Sequence, residues 1–113
     1  MSPDTDAERR AHRHILHFNA AVTTGDWESF SEWFAPDAAM DFVGVPVPPL
    51  RGRLAILDAY VADPPADTML LVAADEEEGT DVVRFAWHRG GTGVMRLTWD
   101  GDLVEHLEVE LDH

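Results

Sequence analysis

The chain contains no cysteine, and all eight of its basic residues are arginines. The first absence removes disulfides, thiol nucleophiles and thiolate metal sites together, so stability rests on packing and any catalysis on carboxylates, imidazoles, hydroxyls or guanidinium groups. Positive charge is scarce as well: 22 acidic residues against eight basic ones give a formal net charge of −14. Such a surface repels phosphate backbones and anionic lipids, which argues against nucleic acid or a membrane surface as partner. No apolar run approaches the roughly 18–20 residues needed to cross a bilayer. The opening segment Met1-Ser2-Pro3-Asp4-Thr5-Asp6 is acidic where a secretory leader is basic and then apolar. The expected location is therefore the cytoplasm.

A length of 113 residues, 45% of them hydrophobic, fits a single domain over residues 1–113 with one core. Asp4 or Thr5 can cap a helix running to about Thr24, in which Ala11, Ile15, Phe18 and Val22 recur at helical spacing and Gly25 marks the end. Asp26 caps a second helix over 27–34, whose Trp27, Phe30, Trp33 and Phe34 form an aromatic face requiring burial. Pro36-Asp37 breaks it, residues 38–43 read as a short strand, and 45–50, with Pro46, Pro48 and Pro49, as a stiff loop. Gly52 opens a third helix carrying Ile56, Leu57, Tyr60 and Val61, which Pro64-Pro65 ends.

The hydrophobic period then changes from about 3.6 to 2. Four strands are expected over 68–76, 81–89, 93–99 and 103–111, joined at Glu78-Gly79, Gly90-Gly91 and Asp100-Gly101. Consecutive hairpins make an antiparallel meander. The expected class is α+β: three helices of the N-terminal half packed on a curved antiparallel sheet around an apolar interior.

This order, together with several local motifs, resembles the nuclear transport factor 2-like superfamily, in its branch of SnoaL-like polyketide cyclases and ketosteroid isomerases. The motifs are Ala21-Val22-Thr23-Thr24-Gly25-Asp26-Trp27, then Trp33-Phe34-Ala35-Pro36-Asp37-Ala38-Ala39-Met40-Asp41-Phe42, then Leu50-Arg51-Gly52-Arg53 with Ile56 and Tyr60. Gly101-Asp102-Leu103-Val104-Glu105 and Asp112 continue the match. The resemblance implies a cone-shaped, cystatin-like or SnoaL-like α+β barrel, commonly a homodimer, with a pocket for a small apolar molecule and no cofactor.

Fold does not carry function, so the site residues are compared one by one. The resemblance to ketosteroid isomerases places Phe18 at that family's first-helix tyrosine, Phe42 at its aspartate base and Met95 near its second acid, so those polar groups are missing here. Tyr60 matches a supporting pocket tyrosine. Limonene epoxide hydrolases, on the same fold, use an arginine flanked by aspartates; Arg84 lies in a comparable strand, but its neighbour two residues on is Ala86. SnoaL-like cyclases can work with one aspartate or histidine as acid and base.

Four residues are therefore candidates for proton handling: Asp41, Arg84, His88 and Glu105. Asp41 sits one residue from the base position, although strand alternation puts it opposite Met40 and Phe42. Arg84 and His88 share a face opposite Val83, Phe85 and Trp87; they reach the cone only if that polar face points inward. Glu105 shares the face of Leu103, Leu107, Val109 and Leu111 in a regular strand, which directs it to the interior or the sheet edge. Phe18, Trp33, Met40, Phe42, Tyr60, Trp87, Met95 and Trp99 are candidates to line a ligand cavity, the alternative being plain core. His12, His14 and His17 carry no fixed carboxylate partner, so they read as a polar helix face and no metal site is expected. Three readings stand: an acid/base isomerase, cyclase or hydrolase acting on a polyketide- or steroid-like substrate, a non-catalytic small-molecule-binding protein, and a dimerising interaction module with a filled cavity.

Overall fold

The computed structural model describes residues 5–112, so the opening segment as far as Asp4, with Asp4 as an alternative cap, lies outside the described residues. Helix α1 (Asp6–Thr24) starts at Thr5: the Glu8 backbone N–H donates to the Thr5 hydroxyl, and the Thr5 N–H donates back to the Glu8 carboxylate. It ends where Gly25, at φ 79°, donates its N–H to the Ala21 carbonyl from a left-handed conformation that lacks a steric cost only for glycine. Ala7, Ala11, Ile15, Phe18 and Ala21 form the buried stripe, and His14 lies within it.

Asp26 caps α2 (Trp27–Ser31), accepting from the Ser29 N–H. This helix is shorter than the aromatic spacing suggests, because Phe34 already belongs to β1 (Phe34–Val43). Pro36 falls where the pairing of β1 with its neighbour slips between Phe34 and Ala39, a place that tolerates a residue without an N–H. Trp27, Phe30 and Phe34 are buried, whereas Trp33 is turned outward and stacks on His17 at 4.1 Å. The proline-rich loop ends in a short strand, β2 (Leu50–Arg51), that pairs with β1.

Helix α3 (Arg53–Ala62) leads into β3 (Met69–Glu77), β4 (Thr80–Trp87), β5 (Thr92–Asp100) and β6 (Leu103–Leu111). The last four strands form the antiparallel meander, and β6 then lies parallel to β1, giving the order β2-β1-β6-β5-β4-β3. The fold is α+β as expected, with one parallel pair in an otherwise antiparallel sheet. Pairing slips at Leu71/Ala73 and at Thr98/Trp99, irregularities of the kind that add local bend and twist to a sheet. The inner face carries Met40, Val83, Phe85, Met95, Leu97 and Leu107, which join Ala11, Ile15, Phe18 and Phe30 of the helices in one core.

Two polar devices tie α1 to this sheet. Arg10 donates from Nε and Nη2 to the two oxygens of Asp81, each at 2.7 Å, and the Trp99 indole donates to the same carboxylate at 2.8 Å. Asp81 is 1% exposed, so this fork and indole replace water around a charge that burial would otherwise penalise. At the other end, the Asn19 amide donates to the Met69 carbonyl and accepts from the Met69 N–H, pinning the start of edge strand β3.

Candidate ligand-binding site

Between the sheet and the α3–β3 connection lies a cavity of about 770 Å³. Its inner wall is built from Phe18 of α1, Met40 of β1 and Met69 of β3, all buried. Phe42, Tyr60, Trp87 and Val109 are half-buried along its sides, and the exposed Val47, Pro64, Gly90 and Leu111 mark its mouth. Strand alternation explains the contributions of β1 and β6: Met40 and Phe42 turn inward together, as do Val109 and Leu111. The volume is within the range that encloses small organic ligands, and the walls are of the apolar, aromatic kind such ligands bury against.

Polar groups in the lining are few. Tyr60 stacks on Trp27 at 4.7 Å and meets Phe18 and Phe30 edge-on, and burial pushes its hydroxyl well above the ordinary tyrosine range. It therefore stays protonated and can donate a hydrogen bond. Neither its hydroxyl nor the Trp87 indole N–H has a hydrogen-bond partner among the described residues. The two carboxylates belong to the α3–β3 connection. Asp63 is exposed at the end of α3, and Asp67 accepts from the backbone N–H groups of Thr68 and Arg89, which links the two sides of the mouth.

The sequence candidates divide sharply. Phe18, Met40, Phe42, Tyr60 and Trp87 line the cavity. Met95 instead fills the core, Trp33 covers His17 outside, and Trp99 serves Asp81 while Arg13 lies 5.4 Å over its ring. None of the four proton-handling candidates reaches the cavity. Asp41 lies on the outer face of the sheet, bonded to His106 Nε2 at 2.5 Å. Arg84 and His88 are exposed because the apolar face of β4 is the one turned inward. Glu105 is also exposed, and here the cause is the irregularity in β6: Trp99 pairs with Val104 and Thr98 with His106, leaving Glu105 as the extra residue. Its insertion changes the phase, so Val104 and Leu107 both face the core.

The three histidines also separate. His12 is exposed, His17 is covered by Trp33, and His14 is 3% exposed between Phe30 and Phe34. His14 is thus a core residue rather than part of a polar face, and burial, with the nearby His17 and Arg13 charges, pushes its pKa down to about 4. Sequence reasoning missed Ala59, Met69, Gly90, Val109 and Leu111, which belong to or border regular elements, and also Val47, Leu50 and the 63–67 connection, which have no periodicity to reveal their direction.

No protein-family model matches the chain, and no curated protein matches it in sequence. Solved structures do match in fold. A SnoaL-like protein of unknown function from Burkholderia thailandensis superposes with a TM-score of 0.73 at 13% identity, covering 98% of this chain and 100% of the other. A protein of Kribbella flavida provisionally named a ketosteroid isomerase gives 0.69 at 14% identity, covering 93% of this chain and 79% of its own. One of Sinorhizobium meliloti provisionally named a polyketide cyclase gives 0.63 at 22% identity, covering 86% and 93%. The nuclear transport factor 2-like fold is therefore shared, and at these identities the likeness concerns the fold alone.

Proposed function

We propose that this chain, which has the nuclear transport factor 2-like fold, is a binding protein for a small apolar molecule held in the cone. The observation that carries this reading is the cavity itself: about 770 Å³ walled by Phe18, Met40, Phe42, Met69 and Val109, with Tyr60 and Trp87 as hydrogen-bond donors that have no partner among the described residues. Burying an apolar ligand there removes surface from water on both sides, at about 25 cal/mol per Å² of apolar area before the cost of immobilisation. One acceptor on the ligand would satisfy Tyr60 or Trp87 and fix its orientation. The reading includes a cytoplasmic location, as the composition suggested, and a homodimer, as the family resemblance implies.

A second reading, an isomerase or cyclase acting on a polyketide- or steroid-like substrate, draws on the names of two structural neighbours. Its acid/base group would have to be Asp63 or Asp67, since Asp41, Arg84, His88 and Glu105 lie elsewhere. Asp67 is already engaged by two backbone donors, and Asp63 is open to solvent. Binding without chemistry is therefore the better supported.

The test uses Nile red, an uncharged apolar dye. The wild-type protein is expected to bind it with a rise and blue shift in emission, and Val109→Trp, which places an indole inside the cavity, is expected to abolish the signal while the thermal midpoint is retained. Equal dye binding by a folded Val109→Trp protein would refute the proposal.

A further inference from the structure

Resting on that reading of the cavity, we infer that its ligand class is cationic and apolar, an amine whose hydrocarbon body fills the cone and whose ammonium group sits at the mouth. Among the described residues the lining contains two carboxylates, Asp63 and Asp67, and no arginine, lysine or histidine. A carboxylate or phosphate ligand would therefore meet like charge at the entrance and no counter-charge inside, whereas an ammonium meets attraction at the entrance and loses little hydration there.

The helix beside the mouth acts in the same direction. Ala59, Tyr60 and Asp63 bring the C-terminal end of α3 into the lining, and no basic side chain occupies its last turn. The partial negative charge of that helix end is thus left for a ligand to neutralise. The Trp87 ring, also part of the lining, adds an aromatic surface that can hold a cation on its way inward. A net charge of −14 over the whole chain adds long-range attraction for cations and repulsion of anions. The cavity supplies the apolar affinity, and the mouth supplies the sign of the ligand's charge.

The probes are 1-adamantylamine, 1-adamantanol and 1-adamantanecarboxylate, one rigid apolar body with three head groups, titrated calorimetrically at pH 7 and low ionic strength. The amine is protonated at this pH, its pKa being close to that of a lysine side chain. It is expected to bind about tenfold more tightly than the alcohol, the sum of two partly solvated charge contacts, with the carboxylate weakest. Asp63→Asn should lower the amine-to-alcohol ratio by about threefold. Asp37→Asn, which removes one exposed carboxylate that is not part of the lining, should leave the ratio as it is.

An alcohol that binds as tightly as the amine, a carboxylate that binds tightest, or an equal loss in the two variants would overturn the inference while leaving the apolar cavity in place. Amine binding that survives Val109→Trp would also overturn it, because the cation would then be held on the surface. Absence of binding by all three probes would sink the cavity reading together with the inference.

Discussion

His14 carries a pH dependence that can be worked out from its surroundings. Its ring lies 5.6 Å from Phe30 and 6.1 Å from Phe34, and burial first, then the charges of His17 and Arg13, push its pKa down to about 4. An unfolded histidine titrates near 6.5. Below that value the unfolded chain takes up a proton that the folded chain refuses until the pH nears 4, so folding stability from this group is complete above pH 6.5 and is lost as the pH falls toward 4. At about 1.4 kcal/mol per pH unit the full loss is about 3 kcal/mol, of which about 2 kcal/mol has gone by pH 5. Urea unfolding of the wild-type protein and of His14→Leu at pH 7.5 and pH 5 measures the difference. Leucine cannot take a proton, so the variant should lose about 2 kcal/mol less than the wild type over that interval. Equal losses would show that His14 is protonated in the folded protein or solvated, contrary to its burial.

Asp81→Ala leaves Arg10 and the Trp99 indole without their shared acceptor, and should cost about 3 kcal/mol of stability, measured by urea unfolding. A loss below about 1 kcal/mol would mean that water replaces the carboxylate readily. Gly93 faces Phe85 so closely that a Cβ there would come within 2.6 Å of the ring and 2.9 Å of the Glu110 carbonyl. Gly93→Ala should therefore lower stability by about 1–3 kcal/mol through overpacking, and Gly93→Ala/Phe85→Leu should recover part of it in the same assay.

The helix stripe and the hairpins were legible because burial imposes periods of 3.6 and 2 on a sequence, which also separated the two faces of β4 without deciding which one turns inward. Five of the cavity residues, Phe18, Met40, Phe42, Tyr60 and Trp87, followed from that periodicity and from the resemblance taken together. Glu105 shows where periodicity fails. One inserted residue in β6 reverses the face of everything beyond it, and nothing local in Val104-Glu105-His106 announces the insertion. Trp33 was misplaced for a related reason, since the shift from helix to strand falls between it and Phe34, where aromatic spacing fits either element.

Other features were available but passed over. Asp81 alternates in phase with Val83, Phe85 and Trp87, which marks it as an inward carboxylate in need of a partner. His14 sits between Ala11, Ile15 and Phe18 on the buried stripe of α1. The cavity mouth had no comparable signal. Its carboxylates belong to an irregular connection after α3, and their positions depend on backbone bonds from Thr68 and Arg89 to Asp67.

The central claim, an apolar binding cavity inside the cone, is tested most directly by amide and indole proton–nitrogen spectra recorded while 1-adamantanol is added. Shifts should concentrate on Phe18, Met40, Phe42, Tyr60 and Val109, and include the Trp87 indole N–H, with the outer-face residues Asp41, Arg84 and Glu105 unmoved. Saturable shifts confined to the outer face, or no shifts at the solubility limit of the probe, would contradict it.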